Sequence, residues 1–450
     1  MPDLRRLLDE GKPIFGTDGV RGVAGDELTP ELAMAIGRAA GSWLRGGPVL
    51  VGRDTRRSGS MLSMALQAGF HASGIDTVDV GVLPSGGISY LTANGPATMG
   101  AIVSASHNPP EDNGIKLLAA RGTKLPDRVE RELETKLRST GSSSALGDTI
   151  GYRIDNADGF WDYLDHLTAL SRYTLSGVGL VLDCANGAAF KAAPTLFERL
   201  HAQVQVFHAE PDGTNINREC GATHPEFLAG VSGGRIGLAF DGDADRLIAV
   251  DEDGNVANGD VIMAIVARHM KSQGKLKSDR VVATVMSNLG FRKSMEEAGI
   301  EIVETPVGDR HVMDALIETK AALGGEQSGH IIFPEHGSTG DGLLTAIKLL
   351  DVVAGTGKQL RELRAEAIVE YPQVLENVRV DRMTDLAKVP DLWDEVKTVE
   401  EELGEEGRVL VRPSGTEPVV RIMVEAPSES TARGYADRLA EVTRTKLGKE

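Results

Sequence analysis

The chain has 450 residues, 41% of them hydrophobic and 25% charged, the balance of a globular protein with material for about three domains. No run approaches the ~18 apolar residues that span a bilayer, and MPDLRRLLDE at the start lacks an apolar leader, so a cytoplasmic protein is expected. Cys184 and Cys220 are the only cysteines, which leaves no disulfide framework or zinc ribbon; lysine plus arginine number 48 against 66 acids, and the net charge of −18 argues against nucleic-acid binding. A phosphate-bearing substrate would therefore need a local basic exception.

In chain order, PVLVGRD (48–54) reads as a strand, followed by a helix-like stretch and two more strands, IDTVDVGVLP (75–84) and ATMGAIVSAS (97–106). The same order recurs in GLVLDCANG (179–187), KAAPTLFERL, AQVQVFHAE (202–210) and RIGLAFDGD (235–243). It recurs again in RVVATVMSN, FRKSMEEAG, IEIVETPVGD and AALGGEQSGH between 280 and 330. Three related α/β units of the order strand, helix, strand, strand are predicted. Each third strand runs into a polar, glycine-containing loop, SASHNP, FDGDADR or GGEQSGH. Ligands of open α/β sheets bind beyond the carboxyl ends of strands, so these loops are expected to converge on one cleft.

GSSSALGD (141–148) reads as a loop near the first boundary, and VDEDGN (250–255) as a hairpin turn closing the second unit. After the helix-like TAIKLLDVV the pattern changes near 370 to strand, acidic helix, two strands and a C-terminal helix, a fourth domain of different build. Its charge run EVKTVEEELGEE reads as a solvated face. The predicted domains are 1–153, 154–253, 254–369 and 370–450.

Ser104, Ala105, Ser106, His107, Asn108 and Pro109, followed by Asp112, Asn113, Gly114, Ile115 and Lys116, fit an Asx-capped turn or a phosphoryl-carrying serine. A phosphoserine brings almost two negative charges, and Lys116 is close enough in sequence to offset them. Asp241, Gly242, Asp243, Ala244, Asp245 and Arg246 form either an acidic turn or a site where a hard divalent cation removes carboxylate repulsion. This spacing begins an EF-hand, and Glu252 falls at loop position twelve, but Arg246 stands where glycine is required and LIAV follows as a strand.

Within Gly324–His330, Glu326 and Ser328 suit sugar hydroxyls, and His330 fits a structural or a functional role. Arg412, Pro413, Ser414, Gly415, Thr416, Glu417 and Pro418, with Arg421 beyond, make a phosphate cradle or a β-turn. Gly16–Gly22, which carries Arg21, and Gly52–Arg56 add cations beside glycine and, with Lys116, Arg246, Arg412 and Arg421, supply the basic exception. GVSGG (230–234) precedes a strand instead of linking strand to helix, and Gly357 with Lys358 lacks the rest of a P-loop.

FGTDGVRG, SASHNP with DNGIK, DGDADR, GGEQSGH and RPSGTEP, in that order from about residue 15 to about 423, resemble the α-D-phosphohexomutase family. The resemblance implies an α/β fold of three related domains with mixed sheets around a central cleft. It adds a C-terminal α+β domain resembling the TATA-binding protein fold. It implies that Ser106 carries the phosphate and that Asp241, Asp243 and Asp245 hold Mg²⁺ together with a phosphoserine oxygen. Glu326 and Ser328 would hold sugar hydroxyls, and Arg412, Ser414, Gly415, Thr416 and Arg421 the phosphate that is not reacting. Arg21 and Arg246 would stabilise the phosphoserine region, Arg310 would help orient the sugar, and Lys116 and His330 are both candidates for acid/base work.

The wording GTDGVRG and GEQSGH favours the amino-sugar branch of the family. That branch interconverts glucosamine 6-phosphate and glucosamine 1-phosphate through glucosamine 1,6-bisphosphate, an isomerase step towards UDP-N-acetylglucosamine. A phosphomannomutase or phosphoglucomutase, and a non-catalytic sugar-phosphate-binding module, are the alternatives. The expected partner is a small phosphosugar, with neither nucleic acid nor membrane, and a homodimer is left open.

Overall fold

The computed structural model describes residues 14–16, 18–138, 144–380, 386–414 and 418–447. The chain divides into two compact units, Met1–Met286 with Ile300–Ala367, and Ser287–Gly299 with Ile368–Glu450.

The first unit begins with β1 (Val20–Val23), α1 (Pro30–Trp43), β2 (Val49–Arg53), α2 (Gly59–Ala72), β3 (Thr77–Val82), α3 (Ser85–Asn94), β4 (Met99–Val103), β5 (Asp112–Ala119), α4 (Asp127–Arg138) and β6 (Arg153–Asp155). These strands make one sheet in the order β1-β5-β4-β2-β3-β6. β2 and β4 are buried almost throughout, which explains why they read as continuous apolar runs and not as alternating ones. Thr29 caps α1 by accepting from Leu32 N at 3.2 Å, and Pro30 supplies a pre-set first turn. Leu32, Ala33, Ile36 and Ala40 then face the core with Leu62, Leu66 and Phe70 of α2.

The second segment runs α5 (Gly159–Leu170), β7 (Gly179–Asp183), α6 (Ala189–Arg199), β8 (Gln203–Phe207), α7 (Pro225–Val231), β9 (Ile236–Phe240), β10 (Leu247–Val250) and β11 (Val256–Ala257). The third runs α8 (Gly259–Ser272), β12 (Arg280–Thr284), α9 (Leu289–Glu297), β13 (Glu301–Thr305), α10 (Asp309–Thr319), β14 (Gly324–Gly325), β15 (Ile331–Ile332), α11 (Gly342–Thr356) and α12 (Leu360–Ala367). Of these, α9 groups with the second unit.

One motif repeats three times. β3-β2-β4-β5, β8-β7-β9-β10 and β13-β12-β14-β15 share one strand order, with the first three strands parallel and the fourth antiparallel. The order strand, helix, strand, strand expected from sequence is corrected in each repeat, because a helix also separates the second and third strands: α3, α7 and α10. Parallel neighbours demand such a crossover, since a tight turn can join only antiparallel strands. The antiparallel connection is where chemistry collects: β4–β5 carries SASHNP, β9–β10 carries DGDADR and β14–β15 carries EQSGH.

VDEDGN is the β10–β11 hairpin, with Asp251 N bonded to Asn255 O at 2.9 Å. Glu252 accepts from the N–H groups of Leu360 and Arg361, both at 2.9 Å, so its two oxygens cap α12. Of GSSSALGD, residues 141–143 lie outside the described residues. No described helix is long and apolar enough to cross a membrane.

The second unit adds β16 (Gln373–Arg379), α13 (Pro390–Leu403), β17 (Arg408–Pro413), β18 (Val419–Glu425) and α14 (Glu429–Leu447) to α9. Its antiparallel sheet, in the order β16-β18-β17, packs Val374, Val411 and Ile422 against Val396 and Val399 of α13 and Ala436 and Leu439 of α14. The charge run of α13 lies on the face opposite Leu392, Val396, Val399 and Leu403.

Candidate functional site

Three loops meet inside the first unit. Ser106 sits just past β4 in a left-handed conformation (φ 50°) and is 1% exposed. A residue held there is strained unless its surroundings fix it, and they do. Ser104 Oγ accepts from Ser106 N at 2.9 Å and donates to Asp54 Oδ2 at 2.6 Å. Arg56, fully buried, pairs with Asp54 at 2.9 Å and donates to the carbonyls of Ser106 (2.9 Å), Asn108 (2.8 Å), Asp112 (3.0 Å) and Pro109. Asn217, from the loop before α7, donates to Ser106 O at 2.8 Å and to Asn108 O at 3.0 Å.

The metal-type loop closes on this serine. Ser106 Oγ donates to Asp241 Oδ2 at 2.6 Å. A Cβ on Gly242 would stand 2.5 Å from Ser106 O, so only glycine lets the two loops approach this closely. Asp241, Asp243 and Asp245 are all buried, with one oxygen of each within 4.8 Å of the others. Ser85 donates to Asp243 Oδ2 at 2.7 Å, and Lys116 Nζ lies 3.8 Å from Asp243 and 3.7 Å from Asp245. Among the described residues, Asp243 Oδ1 and Asp245 Oδ1 are buried without a hydrogen-bond partner. Two orphaned carboxylate oxygens beside a third carboxylate and a serine hydroxyl are an all-oxygen donor set for a hard cation.

The charges arrange themselves around this loop. Burial, then Asp245 and Asp243, pushes the Asp241 carboxyl well above the usual range. Asp245 is held well below it: burial opposes ionisation but is outweighed by His330, Lys116 and Arg246. Lys116 is held as an ammonium because Asp243, Asp245 and Asp18 outweigh its desolvation. The same logic takes Asp18 down to about 2, with Lys116, Arg21 and Lys124 overcoming burial. A cavity of about 460 Å³ opens beside Ser106, lined by Asp18, Arg21, Lys116, Arg246, Glu326 and His330 among others.

The third loop supplies the sugar-type groups. Glu326 Oε1 accepts from Gly308 N at 3.0 Å, while Ser328 Oγ is buried with no partner among the described residues. Gly259, first residue of α8, is pressed so close to Glu326 that a Cβ would lie 2.0 Å from its carbonyl oxygen. The helix thereby fixes the loop from beneath.

Family models for phosphoglucomutase/phosphomannomutase match all four parts of the chain: α/β/α domain I over residues 12–143, domain II over 161–254, domain III over 258–371 and the C-terminal domain over 375–442. The chain belongs to the phosphoglucomutase/phosphomannomutase family. It is a mutase, an enzyme of the isomerase class. A phosphoglucosamine mutase of Salinispora tropica is 49% identical over 444 residues, covering 96% of this chain and 98% of that protein. One from Desulforamulus reducens is 48% identical over 440 residues, with 95% and 98% covered. The crystal structure of a phosphoglucomutase/phosphomannomutase family protein from Burkholderia thailandensis superposes with a TM-score of 0.82 at 27% identity, covering 100% of this chain and 99% of that one.

In this phosphohexomutase the sequence-predicted residues Ser106, Lys116, Arg21, Arg246, Glu326, His330, Arg310 and Asp245 line one cavity, and Asp241 and Asp243 stand beside it. Two of them are less free than their types suggest. Arg310 donates to Leu125 O at 2.9 Å and Glu130 at 3.1 Å and also pairs with Asp127, so its guanidinium is engaged by the start of α4 and not by open space. His330 Nε2 accepts from Gly340 N at 3.2 Å while Nδ1 faces Asp245 at 3.5 Å. Burial disfavours its charge, Asp245 outweighs this and pushes the ring up to about 9, but the Gly340 bond requires a bare Nε2, and a divalent cation on Asp245 would remove the attraction. Both ring nitrogens are thus occupied, and His330 orients Asp245.

Arg56 is likewise no substrate cation, because its donors go to Asp54 and the loop carbonyls. His107, quoted in the motif without a role, lies 3.3 Å from Ser106 Oγ through Nδ1, and burial with Arg246 and Arg21 takes it down to about 4, hence neutral. Ser85, the first residue of α3, and Asn217, in the loop before α7, were not singled out by sequence, and Asp54 was quoted only within Gly52–Arg56 without a role; their contacts are visible only once the chain is folded.

In the second unit, Arg412 and Arg421 are direct cross-strand partners on β17 and β18. Burial and then Arg421 lower the proton affinity of Arg412, the mark of two cations facing each other. Ser414 is buried, and Gly415 and Thr416 lie outside the described residues.

Proposed function

We propose that this mutase interconverts glucosamine 6-phosphate and glucosamine 1-phosphate, with Ser106 as phosphoryl carrier and glucosamine 1,6-bisphosphate as intermediate. The observation that carries this reading is the Ser106 hydroxyl, held 2.6 Å from Asp241 in a loop with two unpartnered carboxylate oxygens, at the wall of a cavity rich in cations. The amino sugar is supported by relatives of that name at 48–49% identity and by the GTDGVRG and GEQSGH wording.

Asp241, Asp243 and Asp245 would hold Mg²⁺ with a phosphoserine oxygen, and the ion supplies positive charge where the transferring phosphoryl group needs it. Around it, Arg21 and Arg246 at the cavity wall offset the remaining charge of the phosphoserine. As the bond from phosphorus to Ser106 Oγ breaks, a bond forms to the free 1-hydroxyl of the sugar, whose proton must be balanced by one gained at Ser106 Oγ. Lys116, a charged group in the cavity, gives its proton to the departing oxygen and recovers one from the sugar hydroxyl. Glu326 and Ser328 accept and donate to the sugar hydroxyls. The bisphosphate then reverses, and its 6-phosphate returns to Ser106.

Arg412 and Arg421, facing cations with Ser414, Gly415 and Thr416 between them, grip the phosphate that is not reacting. A charge-assisted hydrogen bond is worth roughly 1.5–3 kcal/mol, so Arg412→Ala should lower kcat/KM by at least about tenfold. If the cradle also retains the bisphosphate, the variant's progress curves should decay unless bisphosphate is added. Sustained turnover without it would reduce Arg412 to a substrate anchor.

Asp243→Asn should weaken Mg²⁺ binding by at least about tenfold while leaving the metal-free fold as stable as wild type or more so, because one repelling carboxylate is gone. Mg²⁺-dependent shifts in melting temperature measure this; an unchanged shift would make the loop a solvated turn. The substrate is tested by phosphorus NMR of the purified protein with Mg²⁺, bisphosphate and each of glucosamine, glucose and mannose 6-phosphate. Preference for glucose or mannose would overturn the amino-sugar reading and leave the mutase.

A further inference from the structure

A second cavity, of about 490 Å³, opens in the first unit between the C-terminal half of α8 and the middle of α11. None of its lining residues belongs to the cavity beside Ser106. On a chain of net charge −18 its lining is basic: Arg172, Lys275, Lys277 and Lys348 against Glu335 and Asp351, with His269 and His336 in addition. The two carboxylates are held by other groups of the same wall. Glu335 pairs with Lys277 at 3.3 Å, and Asp351 Oδ1 accepts from Arg172 N at 3.0 Å and Ser171 Oγ at 3.4 Å. The ammonium of Lys348 has no hydrogen bond or ion pair within 4 Å among the described residues, although the residue is half-buried.

The groups also disfavour one another's charge. Burial lowers Lys348, with Asp351 and Glu335 opposing and Arg172 assisting; burial, then Arg172 and Lys275, lowers His269; burial, then Lys348, takes His336 down to about 4. Four cations against two carboxylates leave an excess of positive charge that an anion in the cavity would relieve. The rest of the wall is apolar, with Phe333, Val266 and Met270 on one side and the half-exposed ring of Tyr173 at the rim. Cations around an apolar wall, in a volume large enough for a small metabolite, match an anionic head with an uncharged body.

We propose that this cavity is a second ligand site, separate from the reacting one, which binds a phosphate-bearing metabolite through Arg172, Lys348 and the imidazoles of His269 and His336. Inorganic phosphate chemistry and a nucleotide's phosphates share the same recognition, so two probes separate them: pyrophosphate and adenosine diphosphate. Each is titrated calorimetrically into the full chain without Mg²⁺, with excess glucosamine 6-phosphate occupying the Ser106 cavity.

One probe molecule per chain is expected, with affinity weakened at least about tenfold in Arg172→Gln and in Lys348→Gln and unchanged in Arg246→Gln. Arg172 is exposed and contributes only its backbone to the fold, so Arg172→Gln keeps kcat/KM in the absence of probe within about twofold of wild type even if Lys348→Gln folds poorly. Tighter binding of adenosine diphosphate, lost in Tyr173→Ala, supports the site and assigns the apolar wall to a base; equal affinities support it as a phosphate site alone. Absence of binding by both probes, equal binding in wild type and Arg172→Gln, or loss in Arg246→Gln would each overturn the proposal.

Discussion

Ser106→Ala is expected to abolish phosphate incorporation and to reduce turnover by at least about a thousandfold, because both transfers of the proposed reaction pass through that one oxygen. The substitution is mild for the fold. The backbone of residue 106 is positioned by Arg56, Asn217 and the Ser104 hydroxyl, none of which touches its side chain. Alanine removes a hydrogen bond to Asp241, whose carboxyl burial already pushes towards the neutral form, so the loop should survive. Intact-mass measurement after incubation with bisphosphate decides the matter. A persistent added phosphate in the alanine variant would move the carrier elsewhere, and Ser104, fully buried and bonded to Asp54, would be the first residue to examine.

The second large effect is expected at Arg56, which never meets the substrate. Arg56→Met leaves Asp54 buried with only Ser104 and a backbone N–H as donors, its carboxyl pushed further above the usual range by burial that Arg56 no longer opposes, and leaves four loop carbonyls short of a partner. Removing one member of a buried ion pair costs about 3–5 kcal/mol, here concentrated on the segment that presents the carrier. Hydrogen exchange should rise across residues 104–112, and phosphate incorporation should fall by at least about a hundredfold. Arg56→Lys separates charge from shape: lysine keeps the pair with Asp54 but cannot reach several carbonyls from one planar fork, so stability should recover more than activity. Normal turnover in Arg56→Met would show that the loop needs no such clamp.

The three repeats and their loops could be read from the sequence because each loop combines a strand's apolar run with an abrupt change to small and polar residues, a pattern that packing alone does not produce. The crossover helices could not. α3 is buried on nearly every side, so SGGISYLTAN offers no apolar stripe, and its serines and glycines read as a turn. α10 keeps only Val312 and Leu316 in the core. At the site, residues that act through charge on a ligand were visible by type, whereas those that act through geometry were not. Arg56 looks like a surface cation until the carbonyls some 50 residues later fold around it, and the engagement of His330 depends on Gly340 coming back to its ring.

The Ser106 loop is finished by parts of the chain that follow it by more than a hundred residues: Asn217 holds its carbonyls, and Gly242 fills the space under Ser106 O. During synthesis the serine therefore leaves the ribosome long before the groups that give it its strained backbone and its acceptor at Asp241. A nascent chain that stops before residue 217 carries the Ser106 hydroxyl without Asn217, Gly242 or any of the three carboxylates. In the proposed reaction, priming by bisphosphate therefore requires a chain that extends through Asp245 for the acceptor loop and through Glu326 and His330 for the cavity. Chains truncated at 200, at 260 and at 370, exposed to bisphosphate and weighed, would place that threshold.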